Sequence, residues 1–513
     1  MRDNETYPKT MDRDANLPVD CPQPFRLLLE ALKESRIRHC HWKSNIRLEE
    51  SLRGKEDLDL LVDRAEEEAF YQIVQQSGFK LAQSASNCGH PGVFHAFALD
   101  EAGARLLHLH AYFQVVTGDS VVKAYRFPIE ADLLDSNCQK LGVPVPTPEA
   151  ELALFVLRMA LKHTSVLELA LVARGYQSVV DELMVLQAAA DRDAAAALWC
   201  RWVPDSNPEM FNDALRAIGD PRALGQRITA GLRVASRVRG NRRMGALAVI
   251  VERWRRAGLM VHHRLLDRRN ARPMDGGAVI ALVGPKASGK STLGGRLTRT
   301  FGRHLDVRHV HVGKPPATLL TMLPRAAIPL ARKVFPGERS GEYEKPERRA
   351  SGSYSLLHVL NMTMLAYDRR ALLKRCAAAA ASGAIVVTDR YPSKTVGAID
   401  SSRFDDASLS ACRPGLKRWL MEREQALYRG LPEPDLVIRL NVTPALAVAR
   451  DEQRVKEDGP DASAVLRRWE METLGSFGDV PVVEIDTRAS LGESVVLLVK
   501  EAWAVIRPAM TPA

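Results

Sequence analysis

The spacing of hydrophobic residues changes along the chain, and these changes divide it into three regions. In residues 22–147 the spacing switches between that of helices and that of strands: a helical pattern starts at Phe25, and an alternating pattern covers 57–62. Two further apolar runs, 93–99 and 104–113, flank a polar turn and predict a hairpin. These features indicate an α+β domain over 22–147.

The second region, residues 148–272, has a helical pattern throughout. Thr147 can cap a helix that has Pro148 in its first turn, and apolar residues follow at helical spacing. We therefore predict a helical extension that ends in a linker near residue 272.

The third region, residues 273–510, alternates strand and helix patterns and ends in a helix opened by a capping box, Ser490 with Glu493. Such alternation predicts a parallel sheet covered by helices on both faces, which is an α/β fold. The predicted strands are Ala278–Val283, Val307–Val312, Ala384–Thr388, Leu436–Val442 and Val482–Ile485.

Composition agrees with a folded chain of several domains. The 513 residues predict about three domains, and 46% hydrophobic with 26% charged residues excludes a disordered or collagen-like chain. The net charge is +10, which suits anionic partners. Much of the positive charge lies in the segment Arg222–Arg272, which has fourteen arginines and two acidic residues. This segment is either a solvated helical face or a surface for an acidic partner, RNA or lipid headgroups.

Cysteine usage and hydropathy bear on the location of the protein. Seven cysteines are scattered without metal-binding spacing, which indicates a reducing compartment. We find no signal peptide and no apolar run long enough to cross a membrane. The sequence therefore predicts a cytoplasmic protein with no membrane span.

A glycine-rich loop gives the strongest chemical signal. The predicted strand 278–283 leads into the pattern G-x-x-x-x-G-K-[ST], and a helical pattern follows. In such loops main-chain amides surround phosphates, the lysine reaches the β and γ oxygens, and the following hydroxyl binds Mg²⁺. We expect this loop to bind ATP through Gly284, Pro285, Lys286, Ala287, Ser288, Gly289, Lys290, Ser291 and Thr292.

Further charged residues follow the predicted strands of the third region. Asp389 and Arg390 come directly after 384–388, where open α/β sheets bind ligands. Asp389 can join Ser291 in binding Mg²⁺, and Arg390 can neutralise a transferring phosphate. On a later helix, Arg450 and Arg454 are four residues apart and form either a lid over the phosphates or an exposed basic face.

These motifs resemble thymidylate kinase and related nucleoside-monophosphate kinases over about half of the chain. The resemblance rests on the glycine loop and on motifs in that family's order, Ala366–Arg369, Asp389–Tyr391, Pro434–Ile438 and Val483–Asp486. It implies a mononucleotide-kinase fold and Mg-ATP as the donor. It also implies that Arg369 lies near the acceptor phosphate and that Lys314 and Tyr391 lie at the acceptor site.

Two departures from that family concern the acceptor. Lys286 stands where the family usually carries an acidic residue, and Gly313-Lys314-Pro315 replaces its Arg-Glu-Pro turn. The two lysines could favour an acceptor with more negative charge than dTMP. The segment Met322–Ser353 is long enough to form an insertion that binds the acceptor.

The first region contains a second group of chemical residues. Asp57 and Asp59 lie on one face of a predicted strand, after a helix that follows His41-Trp-Lys-Ser. This order resembles the nucleotidyltransferase superfamily, which usually adds a third carboxylate where His108 and His110 stand here. The alternatives are nucleotidyl transfer, a mixed metal site formed by Asp57, Asp59 and His108, or a purely structural cluster.

Three functional hypotheses follow from the sequence. The first is a kinase that transfers the γ-phosphoryl group of ATP to a small phosphorylated acceptor, a nucleoside monophosphate. The second is a nucleotidyltransferase with an ATP-binding regulatory domain. The third is a nucleotide-responsive adaptor whose basic segment binds an acidic partner, and a homodimer is compatible with all three.

Overall fold

The computed structural model describes residues 16–84, 89–165, 168–169, 175–265, 270–334, 354–398, 400–452, 466, 469 and 475–506. These residues form two compact units. The first contains the described residues up to 100 and from 106 to 265. The second contains residues 101–105 and the described residues from 270 to 506.

The first unit begins with a mixed sheet, whose strands neighbour one another in the order β1-β2-β5-β4-β3 once the elements are numbered along the chain. The hairpin of β4 and β5 and the buried apolar face of α1 confirm the sequence predictions. The elements are α1 (Gln23–Glu34), β1 (His39–His41), α2 (Leu48–Leu52), β2 (Leu58–Val62), α3 (Glu67–Gln76), β3 (Lys80–Gln83), β4 (Val93–Asp100), β5 (Arg105–Tyr112), β6 (Val115–Thr117), β7 (Tyr125–Phe127), α4 (Glu130–Asp135), β8 (Asn137–Lys140) and β9 (Val143–Pro146).

Helices complete the first unit around one central helix, α5 (Pro148–Lys162). Ten of its fifteen residues are buried, as expected for a helix that is apolar on all sides and lies inside a core. The Thr147 hydroxyl accepts a hydrogen bond from the Ala150 amide, which confirms the predicted cap. The other helices are α6 (Tyr176–Ala189), α7 (Arg192–Trp202), α8 (Pro208–Gly219), α9 (Leu224–Arg237) and α10 (Ala246–Leu265).

The second unit is built on a parallel sheet with the strand order β12-β13-β11-β14-β15, which confirms the predicted α/β architecture. Its elements are β10 (Arg272–Pro273), β11 (Ala278–Val283), α11 (Lys290–Phe301), β12 (Val307–Val310), α12 (Met322–Val334), α13 (Leu356–Ala381), β13 (Ile385–Thr388), α14 (Asp406–Ala411), α15 (Leu416–Arg429), β14 (Leu436–Asn441), α16 (Pro444–Glu452), β15 (Val482–Asp486) and α17 (Leu491–Val505).

The central strand β11 packs helices on both of its faces. Val279 and Ala281 share a core with Leu373 and Cys376 of α13. On the opposite face, Leu282 lies close to Gly294 of α11. The strand is therefore buried on both sides, which explains its uninterrupted apolar sequence.

The ends of the strands in this parallel sheet differ from the predicted ends by one or two residues. The second strand of this sheet ends at Val310 rather than Val312, because its partner β13 ends at Thr388, opposite Val310. The capping box is confirmed, since the Ser490 hydroxyl accepts from the Glu493 amide and the Glu493 carboxylate accepts from the Ser490 amide. Of the predicted insertion, α12 is described and residues 335–353 lie outside the described residues.

Within the residues that the structure covers, no helix combines the length and the hydrophobicity that crossing a bilayer requires.

One buried acid links the stability of the second unit to pH. Glu424 of α15 is 1% exposed and accepts hydrogen bonds from the Ser402 hydroxyl (2.6 Å) and the Arg403 amide (2.9 Å). Burial raises the pKa of Glu424 to about 7, and the two hydrogen bonds oppose this shift only in part. The folded state therefore holds this proton more tightly than the unfolded state does.

We predict that the free energy of unfolding of this unit falls as the pH rises from about 4.5 to about 7, because unfolding releases the Glu424 proton in that window. Glu424→Gln should remove this pH dependence and stabilise the unit by on the order of 2 kcal/mol above pH 7. Denaturant unfolding at a series of pH values measures it. Glu422→Gln on the same helix is the control, and identical pH curves for wild type and Glu424→Gln would contradict the prediction.

Candidate functional site

The loop between β11 and α11 has a backbone that requires glycine. Gly284 has a φ of +140°, and a Cβ atom there would lie 2.5 Å from the carbonyl oxygen of Leu440. Gly289, with a φ of +96°, precedes the first residue of α11. Alternation between right- and left-handed backbone directs successive amides to one side and forms a concave site for anions. The amino terminus of α11 adds partial positive charge to it.

Side chains of the loop complete this concave site. The Lys290 ammonium donates hydrogen bonds to the carbonyl oxygens of Gly284 and Pro285 and so lies across the loop. The Ser288 hydroxyl is buried and has no hydrogen-bond partner among the described residues. Ser291 and Thr292 are exposed on the first turn of α11. The loop thus offers hydroxyl and ammonium donors of the kind that phosphate groups accept hydrogen bonds from.

Asp389 lies at the same edge of the sheet, because β13 and β11 are adjacent and parallel. Its Oδ2 atom is 2.6 Å from Nδ1 of His311, at the end of β12. Its Oδ1 atom is buried and has no hydrogen-bond partner in the described part of the chain. Mg²⁺ prefers such carboxylate and hydroxyl oxygens and takes its other ligands from phosphates and water. Asp389 and Ser291 therefore fit a magnesium ion that a nucleotide brings with it.

Two arginines share one buried carboxylate beside the loop. The Asp400 carboxylate lies 2.7 Å from Nη2 of Arg369 and 3.1 Å from Nη1 of Arg390. Burial acts to raise the pKa of Asp400, but the two guanidinium groups outweigh it and hold this pKa below its usual value. A cavity of about 40 Å³ is lined by Gly284, Lys290, Arg390 and Asp400 among others. Arg390 therefore lies with Lys290 on the wall of one cleft.

Arg369 differs from Arg390 in position. It is 2% exposed, and its guanidinium group donates to the carbonyl oxygen of Asp400 (2.9 Å), to that of Val312 (3.3 Å) and to the Tyr428 hydroxyl. All of these partners belong to the protein. The described contacts make Arg369 a buried support for Asp400, and its place near the acceptor phosphate stays a prediction.

Tyr391 lies between the small cavity and a larger one. Its hydroxyl donates to the carbonyl oxygen of Pro432 at 2.7 Å, and burial raises the pKa of this phenol. The larger cavity, about 470 Å³, also borders Ser393 and Phe477, which line the small one as well. Its polar lining includes Lys394, Asp405, Asp406, Gln425 and Arg429. Lys314 is exposed on the loop after β12.

Helix α16 contacts both the loop and the last strand. The Lys286 ammonium lies 3.0 Å from the Asp451 carboxylate, which is buried. Arg450 donates through Nη2 to the carbonyl oxygen of Thr487 at 2.7 Å. The predicted lid residue Arg454 lies outside the described residues. The charge of Lys286 is thus balanced within the protein, and Arg450 holds α16 against the end of β15.

The aspartates of the first unit are held by neighbouring side chains in pairs. Asp57 lies 2.7 Å from Nδ1 of His108. Asp59 lies 2.9 Å from the Lys43 ammonium and 3.0 Å from Nδ1 of His110. Burial acts to raise the pKa of Asp59, but Lys43 and His110 together lower it. Burial also lowers the pKa of His110 to about 4. Among the described residues, no three His, Cys, Asp or Glu side chains are arranged to hold a metal ion.

Three residues of the site were not found from the sequence. His311 directly follows β12, as Asp389 directly follows the neighbouring strand β13, so the predicted strand ends carried a signal for this pair. Asp400 and Asp451 come from a loop and from a helix with mixed charges, and no spacing distinguishes them from surface carboxylates. Only the fold brings them to Arg390 and Lys286.

Comparisons with known proteins give distant relatives. No known family model matches the chain. The uncharacterized ATP-binding protein YghS of Escherichia coli (strain K12) is 29% identical over 220 residues, which are 41% of this chain and 86% of that protein. The uncharacterized ATP-binding protein YghR of the same strain is 25% identical over 222 residues, 42% of this chain and 82% of that protein. A structure of deoxyadenosine kinase from M. mycoides is 15% identical, spans 44% of this chain and 97% of its own, and has a TM-score of 0.26.

We predict that Asp400→Asn destabilises the second unit by about 3 kcal/mol, because it leaves the buried Arg369 without its charged partner. Asparagine keeps the size of the side chain and tolerates the left-handed backbone at this position (φ +63°), so the loss reports on charge. Denaturant unfolding at neutral pH is the measurement, and Asp479→Asn at an exposed position is the control. Equal stability of both variants would contradict the role of Asp400.

Proposed function

We propose that the second unit binds ATP at the loop 284–292 and transfers its γ-phosphoryl group to a small phosphorylated acceptor. The main supporting observation is the glycine-dependent loop that follows the central strand of a parallel sheet. Lys290 and Arg390 line one cleft beside this loop. The names of the two E. coli relatives add support for ATP as the nucleotide.

Binding of the donor follows from the chemistry of the loop. Main-chain amides and the Ser288 hydroxyl donate hydrogen bonds to the phosphate oxygens, which gives the buried hydroxyl a partner. Lys290 exchanges its carbonyl acceptors for the β- and γ-phosphate oxygens. An ammonium–phosphate contact is stronger than one to a neutral carbonyl, so this exchange is favourable.

The residues for Mg²⁺ are Ser291 and Asp389. A bound Mg²⁺ ion would supply positive charge that offsets the negative charge developing on the phosphate during transfer. His311 holds Asp389 by its Oδ2 atom, so that the Oδ1 atom stays directed to the ligand side. His311 is thus a positioning residue for the carboxylate.

The transfer step breaks the bond between the γ-phosphorus and the bridging oxygen, and it forms a bond from this phosphorus to an acceptor oxygen. The electron pair of the broken bond stays on ADP. Arg390 and Lys290 lie on the same cleft and stabilise the negative charge of the oxygens around the phosphorus. Asp400 and the buried Arg369 beneath it keep Arg390 in place.

For the acceptor, we propose a nucleoside monophosphate, as in thymidylate kinases, bound in the cavity of about 470 Å³. Its volume is within the range of small-molecule sites, and it adjoins the phosphate cleft, since both cavities are lined by Tyr391, Ser393 and Phe477. Since Lys286 is paired with Asp451, its charge does not call for an acceptor more anionic than a monophosphate.

We also propose that the protein is located in the cytoplasm. A homodimer stays a prediction. All six cysteines among the described residues are free thiols, which supports a reducing compartment. We do not extend the proposal to nucleotidyl transfer by the first unit, because Asp57 and Asp59 are occupied by histidine and lysine side chains.

We predict that Lys290→Ala lowers the rate of acceptor-dependent ADP formation by about 10²–10³, since one preorganised donor to the phosphates is lost. A panel of nucleoside monophosphates with Mg-ATP, with products resolved by mass, measures this rate. Arg299→Ala, on the last turn of the same helix, should leave the rate unchanged. Turnover of Lys290→Ala at the wild-type rate with every acceptor would contradict the kinase mechanism.

We predict that His311→Ala raises the Mg²⁺ concentration needed for half-maximal activity by about tenfold, with a smaller effect at saturating Mg²⁺. The reason is that Asp389 loses the group that orients it. Activity titrations with Mg²⁺ measure this shift, and His309→Ala on the same strand is the control. A lower maximal rate without any shift in the Mg²⁺ midpoint would contradict the positioning role.

A further inference from the structure

Helix α10 of the first unit packs through polar contacts on its inward face. Nη2 of Arg253 lies 2.8 Å from the buried Asp119 carboxylate. Nη1 of Arg256 donates to the carbonyl oxygen of Val121 at 2.9 Å. Glu252 accepts from Arg256 one turn away. The face that usually buries apolar side chains thus uses charged ones at these positions.

The outward face of α10 is apolar. Leu247 is 80% exposed, Val251 is 68% exposed and Trp254 is 75% exposed. Ile250 and Val261 are also exposed. These positions recur at intervals of three, four and seven residues, so they form one stripe along the helix, opposite Arg253 and Arg256. A single exposed apolar residue is ordinary, but a continuous stripe of this kind indicates a surface that something covers.

Charge distinguishes between the possible occupants of this stripe. The segment Arg222–Arg272 carries a large excess of arginine, and Arg237, Arg239, Arg242 and Arg255 are exposed. A second copy would bring two such segments together, which like-charge repulsion opposes. RNA would pair with the arginines but would leave Leu247 and Val251 in water. An anionic bilayer meets both needs, because acyl chains receive the stripe and headgroups receive the arginines.

We propose that α10 binds this protein to the surface of membranes that contain anionic lipids. The helix lies parallel to the surface, with the stripe of Leu247, Ile250, Val251, Trp254 and Val261 at the boundary between headgroups and acyl chains. Trp254 suits this boundary because its indole has an apolar body and one polar N–H group. The contact is adsorption on one leaflet, and it requires no helix that crosses the bilayer.

Vesicle cosedimentation with the full-length protein tests the proposal. Wild type should bind vesicles of phosphatidylcholine with phosphatidylserine, should bind pure phosphatidylcholine vesicles far less, and should be released by high salt. Val251→Glu combined with Trp254→Glu should weaken binding by about tenfold or more, because two residues of the stripe become charged. Circular dichroism and an unchanged thermal unfolding curve establish that this variant is folded.

A matched control is available on α15. Leu416 and Trp419 have the same spacing as Val251 and Trp254 and are also exposed. Leu416→Glu combined with Trp419→Glu adds the same charge but leaves the stripe intact, and it should bind anionic vesicles as wild type does. Since neither pair is assigned to the nucleotide site, failure of the proposed kinase activity would leave this test unaffected.

Four results would overturn the proposal. The first is the absence of wild-type binding to anionic vesicles at low salt. The second is equal loss of binding in both double variants. The third is binding to an RNA oligonucleotide that is stronger than vesicle binding and unchanged by Val251→Glu with Trp254→Glu. The fourth is a wild-type dimer that binds no vesicles and that this variant dissociates.

Discussion

The left-handed backbone at Gly284 and Gly289 is the constraint on which the rest of the site depends. A side chain at Gly284 would meet the Leu440 carbonyl of the neighbouring strand, so the loop can lie against the sheet only as glycine. Because β11 is central and parallel to its neighbours, the loop lies at the carboxyl edge of the sheet. Asp389 and Arg390 follow β13 at that same edge. One backbone requirement thus brings together a phosphate-binding loop, oxygens for a metal ion and a guanidinium group.

Ion pairs then fix charged side chains of the loop and of its surroundings. Asp400 joins the half-buried Arg390 to the buried Arg369, and Asp451 joins Lys286 to α16. Such pairs contribute little net stability, because desolvation offsets their attraction, but breaking one is costly. The effect of these ion pairs is therefore to keep the charged side chains in fixed positions. In the first unit, the half-exposed Asp57 and the largely buried Asp59 are also paired with histidines, and there the result is a polar network beside β5.

Features with local causes could be predicted from the sequence. The strand before the glycine loop, the cap at Thr147 and the capping box at Ser490 each depend on neighbours a few residues away. Features with distant causes could not. The burial of Arg369 depends on Asp400 and Tyr428, and the outward direction of Trp254 depends on Asp119, which lies 134 residues from Arg253. The number of arginines in the sequence indicates the basic segment 222–272. Only the packing of α10 shows that this helix exposes an apolar stripe.

The central claim is that main-chain amides of one loop bind the phosphates of ATP, and calorimetric titration of the full-length protein with Mg-ATP tests it most directly. We expect a single saturable site in wild type. Gly284→Val should abolish that site while the protein keeps its helical content, because the branched side chain cannot share space with the Leu440 carbonyl. Absence of binding to folded wild type, or unchanged binding in Gly284→Val, would contradict the account.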